Sequence, residues 1–181
     1  MNVGIIGMGF VGQLHLKAMK MIDQNIKCYV YDLRSDIAQE FAKKYGCSVI
    51  STLEEMYDST DAIIIATPTF THYELTMRAI RKGKHVLCEK PMALTVSEAK
   101  KMVEMAKQKK VVCAIGFNYR FFEITEIFRK TSQIGEICDI QILIKRLFRK
   151  DWHNSENGVL ADLGIHLMSI IFENVLKKIK H

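Results

Sequence analysis

The stretch Gly7-Met8-Gly9-Phe10-Val11-Gly12 has the spacing G-x-G-x-x-G, in which the backbone rather than the side chains carries the chemistry. Gly7 permits a tight turn, Gly9 lets a pyrophosphate approach the main chain, and Gly12 lets a helix pack closely on a strand. Unpaired N–H groups at the start of that helix then face phosphate oxygens, where the helix dipole favours negative charge. Asp32 stands about twenty residues past Gly12, at the end of a second apolar run, where a carboxylate can accept both hydroxyls of an adenosine ribose. Spacing and acid together argue for dinucleotide binding over an ordinary strand-to-helix turn. A second group of reactive side chains lies near the other end. Asp162, His166, Ser169 and Glu173 fall at spacings of four, three and four, so on a helix they share one stripe. Such a stripe either faces water or projects an aspartate and a histidine into one cleft, and the pattern leaves both open.

The elements that must position these residues alternate along the chain. An apolar run reaches Gly7, and helical apolar spacing (Val11, Leu14, Leu16, Ala18, Met19, Ile22) follows at once. Further strands are expected at residues 26–31, 48–50, 61–66, 85–88 and 111–115, and helices at 35–45, 52–57, 71–82 and 95–109. Gly46 and Gly83 supply helix stops, and the unbroken apolar run at 61–66 suits a central strand buried on both faces. Strands alternating with helices, joined by right-handed crossovers, predict an α/β fold with a doubly wound parallel Rossmann sheet over residues 1–118. Past Gly116 the pattern changes. A helix to about residue 130, a strand over 137–148 with Ile140, Ile142 and Ile144 on one face, a polar loop at 151–158 and a helix over 159–178 predict the start of an α+β domain at 119–181.

Composition excludes several classes. The 181 residues have the balance of a soluble globular protein, without an apolar stretch long enough to cross a bilayer and without a secretory leader, so a cytoplasmic location is the expectation. Five scattered cysteines (Cys28, Cys47, Cys88, Cys113, Cys138) contain no C-x-x-C pair, which predicts free thiols and no metal site. The net charge of +6 is spread over many helices, as solvated faces are, and argues against specific nucleic-acid binding. The densest basic cluster, Lys145, Arg146, Arg149 and Lys150 with Phe148 and Trp152, suits an anionic substrate or a polar sheet face better than nucleic acid.

Taken together, four segments resemble the glucose-fructose oxidoreductase and inositol dehydrogenase (Gfo/Idh/MocA) family of NAD(P)-dependent sugar and polyol dehydrogenases. They are Gly7-Met8-Gly9-Phe10-Val11-Gly12, Ala66-Thr67-Pro68-Thr69-Phe70-Thr71-His72, Glu89-Lys90-Pro91, and Gly158-Val159-Leu160-Ala161-Asp162-Leu163-Gly164-Ile165-His166. The resemblance implies that Gly7 to Gly12 hold the pyrophosphate, that Asp32 holds the ribose, and that Thr67, Pro68 and His72 line the cofactor cleft. It places Glu89 and Lys90 beside the nicotinamide and makes Lys90, Asp162 and His166 the catalytic group. Asp32 would repel the 2′-phosphate of NADP, so NAD is the expected cofactor, with NADP second because Arg34 could pair with a phosphate.

The implied reaction oxidises a secondary alcohol of a sugar, sugar derivative or cyclitol. His166 has the unperturbed pKa of a general acid/base, Lys90 would donate to the reacting oxygen, and Asp162 would orient the imidazole or bind a neighbouring hydroxyl. The family's full second domain contains an open antiparallel sheet, of which this chain shows one strand. That implies either a C-terminally shortened chain or a homo-oligomer or partner that supplies the missing sheet, with a partner-dependent or inactive NAD(H)-binding fragment as the alternative. Smaller departures from the pattern fall at Glu156-Asn157-Gly158, where relatives carry a glycine triplet, and at Ser169, where they carry an aspartate.

Overall fold

In strand β4 (Ala62–Ile65) successive isoleucines point to opposite faces of the sheet: Ile63 and Ile65 enter one hydrophobic cluster and Ile64 the other. The same alternation separates Ile6 from Ile5 in β1 (Asn2–Ile6). A strand apolar on both sides must be covered twice, and helices provide both covers. Helices α1 (Phe10–Ile22) and α2 (Ser35–Tyr45) close one face with Leu16, Ala38 and Ala42. Helices α3 (Leu53–Ser59), α4 (His72–Arg81) and α5 (Val96–Lys109) close the other with Met56, Tyr57, Leu75, Ala79, Ile80 and Ala106. Each fully buried Ile, Leu or Met contributes about 1.5–3 kcal/mol over its exposed state, so this double core dominates the stability of the fold.

The computed structural model describes residues 1–131 and 164–172. The expected strand at 137–148, the loop at 151–158, the basic cluster, Asp162 and Glu173 lie outside the described residues. The chain divides into two units, Met1–Gly116 and Phe117–His181. In the first, β1, β2 (Lys27–Tyr31), β3 (Ser48–Val49), β4, β5 (His85–Cys88) and β6 (Cys113–Ile115) form one parallel sheet in the order β3-β2-β1-β4-β5-β6. This is the doubly wound Rossmann order, and its direction reverses between β1 and β4.

Local signals set the element ends. Gly46 stops α2 in the left-handed conformation at φ 65°, and the Thr52 side chain accepts the Glu55 N–H at the start of α3. Thr95 and Glu98 form a reciprocal capping box on α5. One strand start shifts. Strand β6 begins at Cys113 rather than at residue 111, because the Val111 N–H closes α5 on the Ala106 carbonyl and the Val112 N–H donates to His85 Nδ1. The lead-in to the helix expected up to about residue 130 is a 3-10 turn, Asn118–Phe121, and the helix itself is α6 (Glu123–Thr131).

Candidate functional site

The turn from β1 to α1 is built where side chains cannot fit. A Cβ on Gly12 would stand 1.9 Å from the Gly7 carbonyl oxygen, and one on Gly7, at φ 94°, would stand 2.8 Å from that of Ala66. Gly9 differs: a Cβ there meets nothing within 4 Å. The space over Gly9 is open to a ligand, while Gly7 and Gly12 have been squeezed to create it. Helix α1 starts at Phe10 with no side-chain cap and no acidic residue in its first turn, so its leading N–H groups and dipole are offered to an anion. The Met8 side chain is buried in the core, so position 8 contributes its backbone.

Asp32 follows β2 and faces this turn. Its Oδ2 accepts the Met8 N–H at 2.8 Å and its Oδ1 accepts the Arg34 N–H at 2.9 Å. The carboxylate therefore braces the glycine turn itself, and its remaining lone pairs stay available for two hydroxyls. Arg34 places its Nε 3.6 Å from the same Oδ1 with the side chain largely in solvent. A cleft of about 560 Å³ opens here, lined by Ile6, Gly7, Gly9, Phe10, Val11, Tyr31, Asp32, Leu33, Arg34, Ala66, Thr67 and Pro68. It lies beyond the carboxyl ends of β1, β2 and β4, at the reversal point of the sheet, where open α/β sheets bind ligands. Open space above Gly9, free helix N–H groups and an oriented carboxylate fit the pyrophosphate and ribose of a dinucleotide.

Past the carboxyl end of β5, outside the residues that line this cleft, the edge of the sheet is held by charge. Glu89, after β5, is nearly buried, with 13% of its side chain exposed, and its Oε1 receives His15 Nε2 of α1 at 2.7 Å. The Lys90 N–H donates to Oε2 at 3.3 Å. A Cβ on Gly116 would come within 2.7 Å of Glu89 Oε1, so the glycine after β6 makes room for this carboxylate. Burial alone would push the Glu89 carboxyl up, but His15 and Lys90 outweigh it and hold the group below its ordinary value. Neither His15 nor Gly116 stands out in the sequence. Their pairing with Glu89 is tertiary, His15 being 74 residues away, although their positions beside the glycine turn and at a strand end offered a hint.

His72 does not line the cleft. It is 1% exposed, with Nδ1 2.7 Å from the Pro91 carbonyl oxygen and Nε2 2.9 Å from that of Thr67. It ties the Thr67-Pro68 wall to the Glu89-Lys90-Pro91 segment from behind. Thr67 and Thr71 hydroxyls lie 2.6 Å apart, and Thr71 Oγ1 donates to the Pro68 carbonyl, which stiffens the same wall.

In the second unit, His166 belongs to α7 (Ile165–Ile171) and is 5% exposed. Its ring stacks on Tyr119 with centroids 4.2 Å apart and planes 15° apart, and Tyr119 stacks in turn on Phe122. Ser169 is buried as well and donates to the His166 carbonyl at 2.7 Å. Where it is described, the stripe of polar residues faces inward rather than toward water. Lys90 lies in the first unit, His166 in the second, and Asp162 outside the described residues. Among the described residues there is no cluster of three or more His, Cys, Asp or Glu that could hold a metal ion, and no helix is long and apolar enough to cross a membrane.

Comparison with known proteins follows the same geometry. A family model described as an oxidoreductase family with an NAD-binding Rossmann fold, GFO/IDH/MocA, matches residues 1–117. Glucose-6-phosphate 3-dehydrogenase of Bacillus subtilis is 34% identical over 94% of this chain and 53% of that protein. Myo-inositol 2-dehydrogenase of Thermotoga maritima is 30% identical over 92% of this chain and 52% of that protein. Among solved structures, GenD2 from gentamicin A biosynthesis in complex with NAD superposes with a TM-score of 0.70 at 26% identity, covering 74% of this chain and 39% of that one. An NAD-binding protein from Listeria innocua does so with a TM-score of 0.82 at 25% identity, covering 96% and 54%. The chain spans about half the length of the curated relatives it matches. A parallel sheet in Rossmann order, a glycine turn braced by Asp32 and a family match across that whole unit lead to one conclusion: the chain belongs to the Gfo/Idh/MocA family of NAD-binding oxidoreductases.

Proposed function

We propose that this chain binds NAD and serves an oxidoreductase that moves hydride between the nicotinamide and a secondary alcohol of a sugar, sugar derivative or cyclitol. The observation that carries the reading is the cleft at the end of β1, β2 and β4, with Asp32 on one wall and Thr67 and Pro68 on the other. When bound, the nicotinamide supplies the hydride acceptor or donor. The backbone of Gly7 to Gly12 holds the pyrophosphate on the N–H groups of α1. Asp32 accepts the ribose hydroxyls and repels a 2′-phosphate, which favours NAD over NADP, and the exposed Arg34 softens that preference. Lys90 would donate to the reacting oxygen and stabilise its developing charge, His166 would take or return the hydroxyl proton, and Asp162 would orient the imidazole or bind a neighbouring hydroxyl. Relatives that act on glucose 6-phosphate and myo-inositol support a polyhydroxylated substrate. The reading includes a cytoplasmic location and assembly with a second copy or a partner, the latter measured by light scattering.

A second reading, NAD(H) binding without turnover, is favoured by the placement of every cleft residue within the first unit. Titration with NADH and NADPH, followed by cofactor fluorescence, tests what both readings share. Saturable binding that prefers NADH and is lost in Asp32→Ala is expected, and absence of binding overturns both. Formation of NADH with a panel of sugars and cyclitols, absent in His166→Asn, separates the first reading from the second.

A further inference from the structure

Cys28 and Cys47 occupy neighbouring places on the outer edge of the sheet. Strand β3 pairs with β2 in the register Tyr29↔Ser48 and Val30↔Val49, and one step back along that ladder sets Cys28 beside Cys47. Registered residues of parallel strands point to the same face, and both cysteines pack in the cluster beneath α1 and α2. Adjacent strands run about 4.8 Å apart, within the Cα separation that a disulfide spans. Cys47 is also held by the end of α2: Gly46 turns the chain, and the Cys47 N–H donates to the Ala42 carbonyl at 2.9 Å. Two thiols thus face each other from anchored backbone. Cys28 is buried and Cys47 half-buried, so one member of the pair can be reached from solvent.

We propose that Cys28 and Cys47 are a redox-active dithiol that closes to a disulfide across the β2–β3 edge on contact with a low-molecular-weight disulfide such as oxidised glutathione. Exchange begins at Cys47, whose sulfur attacks the small disulfide, releases one small thiol and becomes a mixed disulfide. The Cys28 sulfur then attacks Cys47 Sγ and expels the second small thiol. The protein loses two protons and two electrons, and the small disulfide is reduced to two thiols. The surroundings favour ionisation of Cys28, the member that resolves the mixed disulfide, and push the Cys47 thiol up through its contact with Cys28 and its burial, so the opening attack by Cys47 is the slow step. The Cys47 thiol brings Cys28 down to about 7 against the opposing effect of burial, and the Lys20 ammonium, anchored on the Ile26 carbonyl, adds to the lowering. The closed bridge encloses a loop of roughly 20 residues and pins the two-residue edge strand β3 to β2. The inference is independent of cofactor binding and of catalysis.

The test uses the whole chain, reduced, desalted and exposed to millimolar oxidised glutathione, then alkylated and measured by mass before and after digestion with trypsin. The expected product takes up three alkyl groups where the reduced chain takes up five, carries a link between peptides 28–34 and 45–78, and reverts with dithiothreitol. Cys28→Ser and Cys47→Ser each abolish that link, and the thermal midpoint of the oxidised wild type rises by about 5–10 °C. Should either variant fail to fold, the peptide map of the wild type decides alone. A chain that accumulates glutathione on Cys47 without the internal link, or that links through Cys88, Cys113 or Cys138 instead, overturns the proposal.

Discussion

Two regions at the carboxyl edge of the sheet solve different problems with different chemistry. On the Gly7–Asp32 side main-chain N–H groups are left open to a ligand, so the sequence has to remove side chains there. On the Glu89–Lys90 side charged side chains are brought together, so the sequence has to bury and pair them. The first arrangement breaks through sterics and the second through protonation. Gly12→Ala is the most severe test of that difference, because its Cβ would stand 1.9 Å from a backbone oxygen that cannot swing aside. A loss of about 3–5 kcal/mol is expected, enough to unfold much of the first unit, as read by urea denaturation. Gly9→Ala, with nothing within 4 Å of its Cβ, should keep stability within about 1 kcal/mol while weakening NADH binding. Equal destabilisation by the two substitutions would show that the turn is crowded throughout and that no ligand space was set aside.

His72 joins the two sides, and replacing it probes the joint. His72→Phe keeps the ring volume but leaves the Thr67 and Pro91 carbonyls without their buried partner. The expected cost is about 2–4 kcal/mol, with weaker NADH binding as the Thr67-Pro68 wall loosens. An unchanged urea midpoint would mean that water replaces the ring freely. Asp32→Ala comes next in size. It removes the acceptor of the Met8 N–H as well as the ribose acceptor proposed above, so NADH affinity should fall about 10- to 100-fold and the preference over NADPH should vanish. Retained preference for NADH would move the discrimination to another residue.

What the sequence made legible follows the same division. Helix α2 runs Ser35–Tyr45 as the apolar spacing implied, because Gly46 is a local stop signal that no tertiary contact overrides. The glycine turn was legible because Gly12 meets the Gly7 carbonyl within a few residues of chain and Gly7 takes a positive φ, although the close approach of Ala66 to Gly7 is tertiary. His72 was expected on the cleft wall and lies behind it: periodicity places a residue on a helix, while burial depends on what packs over that helix. The inward face of His166 and Ser169 had no signature either, since an apolar helix offers no contrast by which to orient a polar stripe. His15 and Gly116 were missed because their meaning arises only when α1, β5 and β6 converge on Glu89. Charge pairing across 74 residues leaves no spacing to read.

The smallest effect should come from loosening that charged side. In His15→Ala the Glu89 carboxylate keeps its burial and its contact with Lys90 but loses the ring donor, so its pKa must rise from its lowered position. A carboxyl whose folded pKa is depressed contributes stability that is present above its unfolded value, about 4.3, and is lost as pH falls through the folded pKa. The wild type should therefore exceed His15→Ala by about 1 kcal/mol at neutral pH, and the two should converge in acid once Glu89 is protonated in both. Urea unfolding from neutral pH down to acid measures this directly. A constant difference across that range would assign His15 a packing role and leave the carboxylate indifferent to it. Convergence in acid would make Glu89 the group whose protonation loosens this edge of the sheet, in contrast to a glycine turn set by sterics.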